Sequence, residues 1–161
     1  MITEDPAAFR AAAGSRGRLA GLDLGTKTIG IATATADRAF ATSRTTIRRT
    51  RPAADYAALA AFAAEEGLTG LVIGLPRSLD GSDSAQTRSV RAQARNIAAR
   101  TGLPVLLWDE RWSTAAVERA MIAADRSRAD RAGAVDRLAA AWILEGALAR
   151  LARLDAESQG P

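Results

Sequence analysis

Short apolar runs, each closed by glycine or proline, alternate along the chain with polar stretches that carry a helical stripe. The first run, Leu19-Ala-Gly-Leu-Asp-Leu24, ends at Gly25 and reads as a buried strand. Gly25-Thr-Lys-Thr28 is a turn signal, and Ile29-Gly-Ile-Ala-Thr33 resumes extended character, so the pair reads as a hairpin. Arg38 to Arg49 is rich in β-branched residues and predicts a third, more exposed strand. Pro52 opens a helix with Tyr56, Leu59, Ala60 and Ala63 as its buried stripe, and Gly67 stops it. Leu71-Val-Ile-Gly-Leu-Pro76 predicts a fourth strand, and Arg77 to Ser84 a polar loop. Ser84 caps a helix that carries Val90, Ala94, Ile97 and Ala98 on one face and ends at Gly102. Pro104-Val-Leu-Leu-Trp108 is the fifth strand. Ser113 caps a helix through Ala124, Asp125 to Arg131 reads as a charged loop, and Gly133 to Leu154 is a last helix. Its expected stripe is Val135, Leu138, Ala139, Trp142 and Ile143.

The order β-β-β-α-β-α-β-α-α predicts an α/β fold with one mixed five-stranded sheet. Its first three strands form an antiparallel meander, parallel βα units follow, and helices flank the sheet. Residues 1–18 are rich in Ala, Gly, Ser and Arg and read as a flexible arm, residues 19–154 as a single domain, and residues 155–161 as a tail. A chain of 161 residues suits one core.

Composition narrows the chemistry. Histidine and cysteine are both absent. That excludes a thiol nucleophile, a Ser-His-Asp triad and imidazole general-base catalysis, and leaves a structural zinc site without its usual ligands. Any catalysis must use carboxylates, hydroxyls, the single lysine, arginines or a bound metal. The 18 Asp and Glu are oxygen donors, which suit Mg²⁺ or Mn²⁺. The 22 basic residues comprise 21 Arg and Lys27, and Ala occupies 39 positions, a composition that coding bias in a GC-rich genome produces without any functional demand. The net charge of +4 is compatible with a nucleic-acid partner without requiring one. The scarce aromatics argue against a base-stacking platform. No apolar run approaches the ~18 residues needed to span a bilayer. The expectation is therefore a soluble, cytoplasmic protein with no membrane partner.

Three acids stand where a solvated residue is not expected. Asp23 interrupts an apolar strand, where a carboxylate costs several kcal/mol unless it is paired or binds a metal. Asp109 and Glu110 follow Val-Leu-Leu-Trp directly, and one of the two must lie on each face of the extended chain. Asp136 shares a helical face with Ala139, Ala140, Ile143 and Ala147, an apolar face that points inward. Each also has a plain structural explanation: a hydrogen-bonded strand acid, a turn acid bridged to Arg111, an acid favouring a helix N-terminus. Together they say more. Acids at the ends of adjacent parallel strands converge on one sheet edge, and a docked helix start could bring a third. Such a cluster stays ionised mainly if cations neutralise it. Two divalent ions ~3.5–4 Å apart are the standard device for phosphodiester hydrolysis, one activating water and the other stabilising the leaving oxygen.

At these residues the chain resembles a known family. Gly21-Leu-Asp-Leu-Gly-Thr-Lys-Thr-Ile-Gly-Ile-Ala32 looks like the opening of the YqgF family, also called RuvX. Val72-Ile-Gly-Leu-Pro76 with Leu79-Asp-Gly81, Trp108-Asp-Glu-Arg-Trp-Ser-Thr114 and Val135-Asp-Arg-Leu-Ala-Ala-Ala141 resemble its later motifs, in order, over about residues 19–150. The resemblance implies an RNase H-like fold and a metal-dependent endonuclease acting on structured nucleic acid, either the 5′-end of pre-16S rRNA or a Holliday junction. It implies Asp23, Glu110 and Asp136 as catalytic, metal-binding acids for two Mg²⁺ or Mn²⁺ ions. Spacing alone leaves Asp109 and Glu110 open; the family pattern favours Glu110, with Asp109 as the alternative ligand. Arg77-Ser78 stands where the family more often has an apolar-Asn pair, Trp112 where a smaller residue is common, and the arm is an addition.

Lys27, in the turn after Asp23, is a candidate phosphate contact. Arg111 could contact phosphate or hold Glu110. Arg77, Arg126, Arg128 and Arg131 are expected in loops that could track a backbone. The partner would be structured RNA or branched DNA. Junction resolution calls for a two-fold dimer and rRNA trimming does not, so monomer and homodimer both stand. A non-catalytic scaffold of the same fold is a second reading, which three buried acids disfavour. Asp23-Leu-Gly-Thr26 also resembles the phosphate loop of actin-like ATPases and sugar kinases, which need two such domains.

Overall fold

A computed structural model describes residues 1–112 and 128–160, and the side chains of residues 112 and 128–136 lie outside that description. The strands are β1 (Ile2–Thr3), β2 (Arg18–Leu24), β3 (Thr28–Ala34), β4 (Ala41–Arg48), β5 (Leu68–Leu75) and β6 (Val105–Asp109). The helices are α1 (Pro6–Ala13), α2 (Pro52–Glu66), α3 (Ala85–Thr101) and α4 (Arg128–Ser158), with a 3₁₀ turn at Glu110–Trp112. The helix expected over 113–124 and the loop residue Arg126 lie outside the described residues.

The sheet runs β1-β6-β5-β2-β3-β4. Strands β1, β6, β5 and β2 are parallel, and the β2-β3-β4 meander is antiparallel. The mixed α/β architecture is the expected one, with six strands in place of five. The central strands are apolar on both sides because both faces are covered. On one face Leu22, Leu24, Leu71, Ile73, Leu75, Val105 and Leu107 join Tyr56 and Leu59 of α2 and Val90, Ala94 and Ile97 of α3. On the other, Leu19, Val72 and Leu106 pack with Phe9 of α1 and with Ala140, Ile143, Leu144 and Ala147 of α4.

Local signals at the outer helices hold as read. Gly67 ends α2 in the left-handed region (φ 63°), where glycine carries no Cβ penalty. Ser84 forms a reciprocal capping box with Thr87 at the start of α3.

The sixth strand comes from residues 1–18, which are not a loose arm. Ile2 and Thr3 pair with Val105 and Leu106, and the Val105 amide donates to the Met1 carbonyl at 2.9 Å. Asp5 caps α1 by accepting from the Ala7 amide at 3.0 Å. Phe9 is fully buried, a burial worth about 2–3 kcal/mol. Gly70 on β5 leaves the space it fills, since a Cβ there would lie 2.8 Å from Phe9 Cζ. Arg38, at φ 62°, closes the next turn by donating to the carbonyls of Ala13, Gly14, Arg16 and Gly17. One aromatic among alanines gives no visible period, so only docking reveals this segment.

Helix α4 also departs from expectation. It begins at Arg128, within the predicted loop, because Arg, Ala and Asp near its start need no apolar stripe to be helical. It runs to Ser158 through the expected tail, where Arg10 of α1 pairs with Asp155 at 2.6 Å and donates to Ser158 Oγ at 3.0 Å. Trp142 is 39% exposed and lies off the stripe. The buried line uses alanines because the helix comes close: a Cβ at Gly21 would sit 2.5 Å from the Ala140 carbonyl and 2.8 Å from Leu144 Cβ. A Cβ at Gly146 would likewise meet Trp108 Nε1 at 3.0 Å. No described helix is long and apolar enough to cross a membrane.

Candidate active site

Alternation along β2 explains how an acid sits inside an apolar strand. Leu22 and Leu24 point into the α2–α3 core. Gly21 and Asp23 therefore face α4. Asp23 is half-buried near the strand's C-terminal end. Glu110 follows β6 directly, in the first position of the 3₁₀ turn.

These two acids do not come from adjacent strands, as expected, because β5 lies between β2 and β6. They meet across it. Gly74 of β5 pairs with Trp108, and its neighbour Ile73 pairs with Leu22. A Cβ at Gly74 would overlap the Glu110 carboxylate, with Glu110 Cδ at 2.9 Å and Ile143 Cδ1 at 2.5 Å. The missing side chain is the space in which the Glu110 carboxyl lies, and there it hydrogen-bonds to Asp23. Such a bond between two carboxyls requires a proton on one of them. Burial raises the Glu110 pKa, the bond to Asp23 works against that rise, and the charge of Asp109 adds to it. Glycine inside an apolar strand is the sequence signal for such a close approach.

Asp109 takes a different partner. Its carboxylate accepts from Arg111 Nε at 2.9 Å and Nη2 at 2.6 Å, and from the Arg111 amide at 3.0 Å. Burial alone would raise its pKa, yet the Arg111 bonds and charge hold it below the usual range. Arg111 thus holds Asp109. It also donates to the Leu79 carbonyl at 3.4 Å, tying the 77–84 loop to the site.

Position 136 is four residues before Ala140 on α4, whose carbonyl lies over Gly21 of β2. Ser43 Oγ of β4 donates to the neighbouring Arg137 carbonyl at 3.2 Å. The Asp136 and Arg131 side chains lie outside the described residues, and among those described no group of three metal-ligating side chains assembles. Arg128 and Arg131 belong to α4 and not to a loop. Lys27 is exposed in the turn between Asp23 and Thr28. Arg77 is not free to track a backbone as drawn from sequence: it pairs with Glu4 of the N-terminal segment, which Arg91 also reaches at 3.3 Å.

Two carboxyls that share a proton are a donor set suited to a hard divalent cation. Both would hold such an ion in their ionised form. The chemistry of Asp23 and Glu110 therefore fits Mg²⁺ or Mn²⁺, whereas Asp109, already saturated by Arg111, fits less well.

The chain is similar to known proteins along most of its length. The family model described as RuvX, Holliday junction resolvase, matches residues 17–150. A protein of Sphingopyxis alaskensis named "Putative pre-16S rRNA nuclease" is 59% identical over 153 residues, covering 95% of this chain and 100% of that one. One of the same name from Novosphingobium aromaticivorans is 54% identical over 152 residues, covering 94% and 97%. Among solved structures, T. thermophilus RuvC in complex with a Holliday junction substrate superposes with a TM-score of 0.55 at 14% identity, covering 84% of this chain and 96% of that chain, a likeness of fold.

Proposed function

Because the chain belongs to the RuvX family, we propose that it is a nuclease that hydrolyses phosphodiester bonds in structured nucleic acid, with the 5′-end of pre-16S rRNA as its substrate. The observation that carries this reading is the Asp23–Glu110 pair meeting over Gly74. Nothing in packing asks two acids to share one hole. Asp23, Glu110 and Asp136 would hold Mg²⁺ or Mn²⁺, as one ion or two.

The bound ion would supply Lewis-acid stabilisation of charge on the reacting phosphate. The chain's own residues do the rest. Asp23 and Glu110 would hold the cation as carboxylates, so its binding would strengthen where both are ionised. Gly74 keeps the Glu110 carboxyl over β5, and Gly21 lets α4 lie close enough to bring position 136 to the same end of the sheet. Arg111 compensates Asp109 and so keeps a further negative charge from opposing the incoming phosphate. With no histidine in the chain, protons must move through carboxylates, phosphate oxygens and water. The pH–rate profile should therefore carry no imidazole step near ~6.5.

The family's description supports a four-way DNA junction as the second substrate reading. Cleavage of both substrates in Mg²⁺ or Mn²⁺ tests the two together. Asp23→Asn, Glu110→Gln and Asp136→Asn should each lower the rate more than about 100-fold, or ~2.7 kcal/mol of barrier. Undiminished hydrolysis in these variants would overturn the site. Failure of the wild-type protein to cut either substrate, with Mn²⁺ raising its melting temperature, would favour a non-catalytic scaffold.

A further inference from the structure

The arginines of this chain divide into two groups. Several described ones form ion pairs: Arg10 with Asp155, Arg18 and Arg44 with Glu66, Arg77 and Arg91 with Glu4, Arg111 with Asp109, Arg150 with Glu157. Others, such as Arg95, Arg100 and Arg153, make no ion pair among the described residues, and two of this second group stand near the acid pair. Arg48 and Arg51 are exposed, as is Lys27, and none of the three makes an ion pair among the described residues.

Their placement follows from strand register. Arg48 pairs with Thr28, and Ile47 pairs with Ile29. Ile29 and Ile47 face the α2–α3 core. Arg48 therefore points to the opposite face, the one on which Asp23 lies. It stands at the same sheet end as Asp23, two strands away, a lateral separation of about 10 Å. Lys27 lies between them in the β2–β3 turn, and Arg51 follows three residues after Arg48 at the start of α2.

The odd residue of this tract holds the others in place. Arg49 turns to the far face, where it donates to the Gly25 carbonyl at 2.7 Å and to Gln93 Oε1 at 2.5 Å and lies 3.8 Å from Asp55. Its backbone amide donates to the Lys27 carbonyl at 2.9 Å. Arg49 thus ties the turn after Asp23 to the end of β4 and to α2 and α3. The result is a ledge whose backbone is held in place beneath the three side chains.

The acids beside it repel a polyanion, so a phosphate chain needs cations nearby but outside the acid cluster. Lys27, in the turn directly after Asp23, and Arg48, two strands across, are near enough to hold the adjacent phosphates of a strand entering the site. We propose that Lys27 and Arg48, with Arg51 at the start of α2, form a phosphate-backbone track that seats the nucleic acid at the sheet end carrying Asp23 and Glu110. This rests on the nuclease reading for its substrate.

The test is binding without cleavage, in EDTA, across a salt series. The probes are a pre-16S rRNA 5′-end RNA and, in a separate arm, a four-way DNA junction. The triple variant Lys27→Ala/Arg48→Ala/Arg51→Ala is compared with Arg95→Ala/Arg100→Ala/Arg153→Ala, which removes the same charge from exposed positions elsewhere, and melting curves confirm that both fold. The ledge variant should lower the slope of log K against log salt by about 2–3 and weaken binding more than about tenfold, with the control near wild type. Equal losses in both variants, no loss in the ledge variant, or no binding by the wild-type protein would overturn the proposal. Ledge-dependent binding by a wild-type protein that cuts neither substrate would overturn the nuclease reading and leave the track standing.

Discussion

Asp55 and Glu110 are two acids with opposite surroundings. Asp55 is the more deeply buried, at 3% exposure, yet every neighbour suits a charged carboxylate. It accepts from the Thr50 amide at 3.0 Å and the Thr50 hydroxyl at 3.3 Å, and Arg49 lies 3.8 Å away. Glu110 is only half-buried, and its partner is another acid. Depth of burial therefore does not mark the functional site here. What sets Glu110 apart is that its described hydrogen bond runs to a second carboxyl, whereas Asp55 has an amide, a hydroxyl and a guanidinium beside it.

Substituting the two acids should break that contrast in opposite directions. Asp55→Ala removes the acceptor of the Thr50 amide and hydroxyl and the charge facing Arg49, and should cost about 3 kcal/mol, several degrees in melting temperature, with or without Mn²⁺. A stability unchanged within error would mean that Asp55 is not the structural acid described. Gly74→Ala comes next. Its methyl group must displace either the Glu110 carboxyl or Ile143, at about 1–3 kcal/mol. It should also weaken Mn²⁺ binding by roughly tenfold or more, read from the Mn²⁺-dependent melting shift. Pairing it with Ile143→Val relieves the packing clash, so an affinity that recovers fully in the double variant would show that Ile143, not Glu110, feels the methyl.

Glu110→Gln should have the smaller effect on stability, and of the other sign. Without cations it removes a raised acid and should leave the stability unchanged or higher by under ~1 kcal/mol. The smallest signal is the pH dependence behind it. A carboxyl whose folded pKa is raised contributes stability that is complete below its unfolded value, near ~4.3, and is lost as pH rises through the folded value. Cation-free wild-type protein should therefore lose stability over that range, and Glu110→Gln should flatten the slope. Mn²⁺ should reverse it, since its binding displaces the shared proton and strengthens with pH. A wild-type slope that survives in Glu110→Gln would place the titrating group elsewhere.

Much of the fold was legible because its signals are local. The Ser84 capping box, the Gly67 and Gly102 stops and the two-faced apolar strands each lie within a few residues of what they control. The N-terminal segment was not legible, because Phe9 acquires meaning only against Gly70, sixty-one positions away. Part of the acid site was visible in Asp23, a charge inside an apolar run. The choice between Asp109 and Glu110 was not, because both follow the same strand and differ only in what the rest of the molecule offers them: Arg111 to one, the space over Gly74 to the other.

The sequence by itself determined the elements, the exclusion of imidazole and thiol chemistry, and the oxygen-donor character of the site. Those properties depend on residue type and on spacing of a few positions. Only the tertiary structure decided that β5 separates the two acid-bearing strands, that a bare glycine lets their carboxyls meet across it, and that Arg48 faces the site while Arg49 anchors its turn. Strand order and face follow from which distant surfaces bury each other best, and that balance is struck by the whole core at once.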